Sequence, residues 1–347
     1  MRKRIILSAG GTGGHLFPAQ ALAQALQPYA EVLFVASGLG TNQFFDKQLY
    51  AYEEIATATF SLSQPWQVLR GGVSICQGTC SALRILKRFA PDLVIGFGSF
   101  HTVPILMASL IRRLPFMLHE QNLVPGRVNR FFSPYAQLTA LTFSATAQQF
   151  KGASQLVHMP CRSQVEQDPW SYYGWQPGAP VLLVYGGSQG AQAINETVLN
   201  VAKQLQNYRV LHFIGKHGNP QQIKGVYQEH GITACVKQFE HRMDLALQIA
   251  DVAICRAGAS TVCELISYHV PAILIPYPYA HHHQLHNAQH FTLEAQGGKI
   301  LLQQDLDDKS LLLALLELDL KNCRNNLKHY CQKQKIENFE NIILKQL

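Results

Sequence analysis

A glycine-rich turn, set between an apolar run and a helical pattern, constrains this chain most, and it occurs twice. The first copy, Gly10-Gly11-Thr12-Gly13-Gly14-His15, follows Ile5-Ile6-Leu7 and precedes Pro18 and the helical stretch from Ala19 to Leu26. The second, Gly186-Gly187-Ser188-Gln189-Gly190, follows Val181-Leu182-Leu183-Val184 and precedes a helical pattern through Asn195, Val198 and Leu205. Glycine lets the backbone turn sharply and approach a ligand closely. Strand, glycine turn and helix N-terminus together offer free N–H groups and a positive dipole end to an anion. Two such units imply two α/β domains acting on one phosphorylated ligand.

The rest of the chain fits that plan. With 347 residues it has room for two domains of ordinary size. Apolar runs alternate with helical patterns, as in parallel sheets. The expected strands of the first half are Ile5–Leu7, Val32–Val35, Leu93–Ile95, Phe116–Leu118, Leu138–Leu141 and Leu156–Val157. Those of the second half are Val181–Val184, Val210–Ile214, Ala234–Val236, Val252–Cys255, Ala272–Ile275 and Lys299–Leu302. Proline and glycine cluster between Asp168-Pro169-Trp170 and Gln176-Pro177-Gly178-Ala179-Pro180, which sets a linker near 160–180. The expected domains are therefore 1–160 and 161–347, with the terminal helix free to pack back on the first. The tail from Leu311 reads as helix, with Leu311, Leu315 and Leu318 on one face.

Several function classes drop out. The longest apolar stretch, Val103 to Ile111, is too short to span a bilayer and stops at Arg112-Arg113. Arg2, Lys3 and Arg4 precede a run that ends at once in glycines, as a first strand does and a signal peptide does not. The eight cysteines include no Cys-x-x-Cys pair and read as reduced, mostly buried thiols of a cytosolic protein. A net charge of +7 suits an anionic surface or substrate. Gly11-x-Gly13 begins a dinucleotide fingerprint, but Leu16 holds the third glycine position and Ala36-Ser37-Gly38 offers no acid to a ribose.

The chemistry-bearing residues fall in short motifs. His15 closes the first turn at a helix start, where the dipole disfavours imidazolium; a neutral His there is a general base, or a residue that only caps or packs. Gly96-Phe97-Gly98-Ser99-Phe100 is a second turn in this half, either a plain left-handed turn or a ligand loop. His119-Glu120-Gln121-Asn122 ends a strand where open α/β sheets bind ligands, or forms a polar loop. In the second half, Arg256 to Glu264 follows a strand. Ser260 or Thr261 caps the next helix, and Glu264 either completes the cap or accepts from a ribose diol. His281, His282, His283, His286 and His290 form a dense cluster, read as a substrate loop beside Tyr277 and Tyr279 rather than a zinc site. Asp305-Leu306-Asp307 reads as helix-start charge. No metal and no cofactor is expected.

Taken in order, these motifs resemble the MurG family, the N-acetylglucosaminyltransferases of bacterial peptidoglycan synthesis. The resemblance covers nearly the whole chain. It implies a GT-B fold, an α/β architecture of two Rossmann-like domains with parallel sheets and an inter-domain cleft. It implies transfer of GlcNAc from UDP-GlcNAc to the C4 hydroxyl of MurNAc in lipid I, giving lipid II with inversion. By motif, Thr12, Gly13, Gly14 and Asn122 face the donor sugar and reaction centre, and Arg162 is the arginine at the domain junction. Ser188 holds the diphosphate. Ala259, Ser260, Thr261, Val262, Cys263 and Glu264 hold the nucleoside, with Glu264 on the ribose. Gln284 binds GlcNAc hydroxyls, and Glu240 stands where the family contacts uracil through backbone. Phe100, Glu240 and His283 depart from the family's usual tyrosine, aliphatic residue and glutamine.

The chemistry needs a stabilised leaving group and a deprotonated hydroxyl. The Ser188 turn with Arg162 or Arg256 serves the first; His15 is the chosen base, with Glu120 and His119 as alternatives. Domain closure excludes water. Implied partners are UDP-GlcNAc, lipid I, an anionic inner-membrane surface on its cytoplasmic face, and cell-wall and division machinery, with no nucleic acid. The membrane-facing segment mixes Trp66, Val68, Leu69, Ile75, Leu83, Leu86 and Phe89 with Arg70, Arg84, Lys87 and Arg88, near Arg112-Arg113. The competing readings are another GT-B transferase with a lipid or small-molecule acceptor, and a nucleotide-sugar binder without turnover.

Overall fold

The computed structural model describes residues 2–11, 13–57, 65–160, 167–187, 189–279, 283–333 and 336–347, with side chains omitted for 65–70. The chain divides into one unit of Met1–Ser163 with Ile336–Leu347 and another of Gln164–Lys335.

The first unit runs β1 (Lys3–Ser8), α1 (Gly13–Leu26), β2 (Ala30–Ala36), β3 (Tyr52–Glu54), α2 (Pro65–Phe89), β4 (Leu93–Gly96), α3 (Val103–Arg112), β5 (Phe116–Glu120), α4 (Arg127–Phe132), β6 (Leu138–Leu141) and β7 (Ser154–His158). The second runs α5 (Pro169–Tyr173), β8 (Val181–Tyr185), α6 (Gln192–Asn200), β9 (Arg209–Phe213), α7 (Pro220–Glu229), β10 (Ala234–Lys237), α8 (Met243–Ile249), β11 (Val252–Cys255), α9 (Ala259–Ser267), β12 (Ala272–Leu274), α10 (His283–Gln289), β13 (Gly298–Ile300), α11 (Asp308–Leu316) and α12 (Leu320–Lys333). The chain then returns to the first unit with β14 (Glu337–Asn338) and α13 (Phe339–Gln346).

Both sheets are wholly parallel. The first has the order β14-β7-β6-β5-β4-β1-β2-β3, the second β10-β9-β8-β11-β12-β13. A parallel sheet covered on both faces needs unbroken apolar strands, and Val181–Val184 and Val252–Cys255 are entirely buried. In the first sheet, chain order reverses between β1 and β4, so the turns after both strands open at the position where such sheets bind ligands. In the second, the same reversal lies between β8 and β11.

Two layers sandwich the first sheet. Leu16, Ala19, Leu22 and Leu26 of α1 share a core with Phe339, Ile342 and Ile343 of α13. On the other face, α2 and α3 pack with Ile6, Val94 and Phe116. Leu86 is buried there, and Leu83 and Phe89 pack against the same cluster, so these three hold the helix down rather than face outward. In the second unit, Leu311 and Leu318 are buried and Leu315 packs against their cluster. The cysteines depart from expectation. Among those described, Cys255 and Cys263 are buried, whereas Cys76 and Cys80 lie exposed on the outer face of α2. No helix among the described residues is long and apolar enough to cross a membrane.

Candidate active site

In the first unit, β1 ends in a turn that admits little except glycine. Gly11 has φ +87°, and a Cβ on Gly10 would lie 2.5 Å from the His101 side chain. Gly13 opens α1 buried against Phe17, while Gly14 is exposed. His15 follows, half-buried, with Nδ1 2.7 Å from the Phe97 carbonyl oxygen and 2.6 Å from Nε2 of Gln121. A carbonyl can only accept, so Nδ1 carries the hydrogen and Nε2 keeps its lone pair. The Gln121 amide, whose Oε1 is otherwise unpartnered, satisfies both groups when turned with its oxygen toward that N–H. Burial holds the His15 pKa below its ordinary value, against smaller opposing pulls from the Phe97 carbonyl and Glu120. The result is a neutral imidazole with a free basic nitrogen at a helix start.

Glu120 and His119 are held more deeply than His15. Glu120 is 1% exposed, and four N–H donors occupy its carboxylate. Oε1 accepts from the Asn122 backbone (3.0 Å) and Nδ2 (3.2 Å); Oε2 accepts from the Gly126 backbone (2.9 Å) and Asn129 Nδ2 (3.0 Å). It shapes the loop that carries Asn122, which is itself half-buried. His119 is wholly buried, and burial lowers its pKa to about 3.

In the second unit, Gly187 and Gly190 have φ +79° and +80°. A Cβ on Gly190 would lie 2.6 Å from the Ile214 carbonyl oxygen, so the turns after β8 and β9 touch backbone to backbone. A buried network fixes α6 behind them. His212 bonds Tyr227 Oη (2.9 Å) and Asn195 Oδ1 (3.1 Å), and Asn195 Nδ2 donates to Ile214 O (2.9 Å).

The turn into α9 differs from expectation. Its N-cap is Gly258, without a side-chain cap, so neither Ser260 nor Thr261 closes the helix and its first N–H groups stay available. Ser260 Oγ is buried without a hydrogen-bond partner among the described residues, and Tyr185 Oη is buried beside Cys255 and Thr261. Glu264 lies beyond the first turn, half-buried. Its pKa rises to about 7, chiefly through burial and further through Asp244, whose carboxylate is gripped by Arg242 at 2.7 Å. Ala259 and Thr261 are buried at the helix start, and the Val262 and Cys263 side chains are buried too, leaving backbone as their contribution to a ligand.

Arg256 and Gln284 lie at this turn, and Glu240 anchors another part of the unit. Arg256 is 8% exposed and donates to Ile275 O (3.1 Å) and Gln303 Oε1 (2.6 Å), with no ion pair among the described residues. Gln284 Oε1 accepts from the backbone N–H of Ala257 (3.2 Å) and Tyr277 (2.9 Å), which leaves its NH₂ to donate to a ligand. Glu240, expected to matter through backbone alone, is a buried hub. Its carboxylate pairs with Lys237 at 2.6 Å and accepts from Tyr172 Oη (3.0 Å), Tyr173 Oη (3.3 Å) and the Arg242 backbone (2.8 Å).

The remaining motifs resolve simply. Asp307 caps α11 by accepting from Ser310 N at 2.7 Å. His290 is buried and bonded to Tyr330 Oη at 2.8 Å, while His286 is exposed, so they do not converge. Among the described residues, no three His, Cys, Asp or Glu side chains are placed to share a metal. Thr12, Arg162, Ser188, His281 and His282 lie outside the described residues. Sequence reasoning missed Gln121 and the Phe97 carbonyl on His15, and Asp244 beside Glu264. The polar HEQN motif held a clue to Gln121; a backbone carbonyl carries no residue signature.

Known proteins resemble this chain in sequence and fold. Residues 5–141 match the glycosyltransferase family 28 N-terminal domain, and residues 181–345 match the family 28 C-terminal domain. The UDP-N-acetylglucosamine–N-acetylmuramyl-(pentapeptide) pyrophosphoryl-undecaprenol N-acetylglucosamine transferase of Protochlamydia amoebophila is 39% identical over 91% of this chain and 87% of that protein. Its Chlamydia muridarum namesake is 38% identical over 98% of this chain and 96% of that protein. The chain belongs to glycosyltransferase family 28, with the MurG transferases. A solved family 28 relative, Acinetobacter baumannii MurG, superposes with a TM-score of 0.76 at 26% identity over 99% of both chains. The glycotransferase of kitacinnamycin, at 14% identity and a TM-score of 0.72, shares the GT-B fold of family 28.

Proposed function

We propose that the chain transfers GlcNAc from UDP-GlcNAc to the C4 hydroxyl of MurNAc in undecaprenyl-pyrophosphoryl-MurNAc-pentapeptide, lipid I, to form lipid II. The observation that carries this reading is the 38% identity to a transferase of that name over 98% of the chain. The site geometry supports it.

His15 Nε2 takes the proton of the acceptor hydroxyl as its oxygen bonds to the anomeric carbon. The bond from that carbon to the UDP oxygen breaks on the opposite face, so configuration inverts. Asn122, on the loop shaped by Glu120, faces the reacting sugar. The negative charge left on the diphosphate meets the Ser188 turn, the uncapped start of α9 and Arg256, which has no ion pair among the described residues, or Arg162. Glu264 accepts from the ribose diol, and the free NH₂ of Gln284 donates to a GlcNAc hydroxyl. The membrane-held acceptor calls for peripheral docking on the cytoplasmic face of the inner membrane. Exposed Val73 and Ile111 supply apolar contact, and exposed Arg84, Lys87, Arg112 and Arg113 supply charge. Arg88 contributes less, because Glu53 already pairs with it.

The test is product formation. Purified chain, UDP-GlcNAc and a lipid I analogue should yield a disaccharide product heavier by one GlcNAc. UDP release without that product, or transfer only to unrelated acceptors, would reject the assignment.

A further inference from the structure

His119 is the buried titratable group of the first unit that the mechanism leaves without a task. It lies one residue before the end of β5 with no exposure, neither ring nitrogen meets a partner at good hydrogen-bond geometry among the described residues, and the Gln121 side chain is a polar neighbour. Burial keeps it neutral, so it behaves as a flat, uncharged ring.

That ring packs against two aromatic rings. Phe97 lies 5.2 Å away, centroid to centroid, and Phe339 stacks on it at 5.6 Å with an interplanar angle of 27°. Both are fully buried. Phe97 follows β4, and its own carbonyl is the acceptor that orients His15. Two residues after His119, Gln121 reaches the same His15 nitrogen. Phe339 comes from the far end of the chain. It opens α13, brought into place where β14 pairs with β7 through Glu337↔Val157 and Asn338↔His158.

We infer that His119 and Phe339 are positioning residues for His15: the stack Phe339–His119–Phe97 fixes the carbonyl and the amide that hold the base. The residues from 336 to the C-terminus are then part of the half-site that activates the acceptor. This rests on the reading of His15 as the base. Aromatic contacts of this kind have a preferred geometry, so the stack sets orientation as well as filling space. A loss at Phe339 opens a void beside His119, next to the residues that hold a base whose low pKa comes chiefly from burial.

The experiment uses the full-length chain with UDP-GlcNAc and a lipid I analogue. Phe339→Ala should lower kcat about tenfold or more, while the KM for UDP-GlcNAc stays within about twofold. The acid limb of its pH profile should move up toward the ordinary histidine value of about 6.5, as water enters beside His15. Phe339→Leu should recover most of the lost kcat. If Phe339→Ala does not fold, His119 gives the same answer. His119→Ala should lose kcat, and His119→Phe, which keeps the stack and discards the nitrogens, should recover most of it. Wild-type kcat and pH profile in both alanine variants would overturn the inference. So would a His119→Phe variant as inactive as His119→Ala, which would make His119 a chemical participant. A His15→Gln control separates the failures: normal turnover there removes the base reading itself.

Discussion

Glu264→Gln should make the second unit more stable while weakening its grip on the donor. The Glu264 carboxyl titrates at about 7 in the fold, against an ordinary value of 4.5, because burial and Asp244 both oppose its charge. Each pH unit is worth about 1.4 kcal/mol, so at pH 8 the ionised side chain costs the fold about 3 kcal/mol. The sign follows from proton binding. Below pH 4.5 the group is neutral whether the chain is folded or not, and nothing is lost. Between 4.5 and 7 the folded state holds the proton more tightly, so stability falls as pH rises. Above 7 the full penalty applies. Glutamine keeps the shape and removes the charge, so Glu264→Gln should gain several degrees in the melting transition of this unit at pH 8 and almost nothing at pH 4.5. The same change leaves a single neutral amide oxygen where a carboxylate would accept from both hydroxyls of a ribose diol, so UDP should bind more weakly by about 1 kcal/mol. Melting curves at the two pH values, with calorimetric titration of UDP at pH 8, measure both effects. A variant no more stable at pH 8 than wild type, or one with unchanged UDP affinity, would refute the reasoning.

His15→Ala should lower kcat by about 10²-fold or more with UDP affinity unchanged, since the residues read as holding the nucleotide belong to the other unit; steady-state kinetics and calorimetry check this. Acid should destabilise the first unit through His119, which titrates at about 3 in the fold, so the unfolded chain gains protons first; His212 acts the same way in the second unit, offset down to about pH 4.5 by the opposite titration of Glu264. The His119 contribution present above about 6.5 should fall by roughly 1.4 kcal/mol per pH unit as pH drops, and a denaturant midpoint of the first unit flat from pH 7 to 4 would contradict this. Reversing charge at Arg84 and Lys87 should reduce binding to vesicles containing anionic lipid and turnover of membrane-embedded acceptor, while sparing a short-chain soluble acceptor. Equal loss on both acceptors would reject the docking face.

Both sheets could be read from the sequence because parallel strands are buried on both faces, and runs such as Val181–Val184 announce themselves. Short edge strands carry no such run, so β3 and β14 went unread. The turns holding His15 and Glu264 were legible from glycine and from their place after a strand. Their chemical state was not, because it depends on long-range neighbours: Gln121 lies far along the chain from His15, and Asp244 sits a strand and a turn before Glu264. The surroundings of Glu120 and Glu240 were equally hidden: each carboxylate is held by several donors from other parts of its unit, which no short motif announces. The cysteines misled. Cys76 and Cys80 sit one turn apart on the outer face of a helix whose inner face is already filled.

The measurement that bears most directly on the central claim is the fate of isotopically labelled GlcNAc. Wild-type chain, given labelled UDP-GlcNAc and lipid I in anionic vesicles, should move the label into the lipid fraction as a β-linked disaccharide, and His15→Gln should not. Label that stays as UDP-GlcNAc, appears as free GlcNAc, or reaches the lipid equally well in His15→Gln would contradict the account.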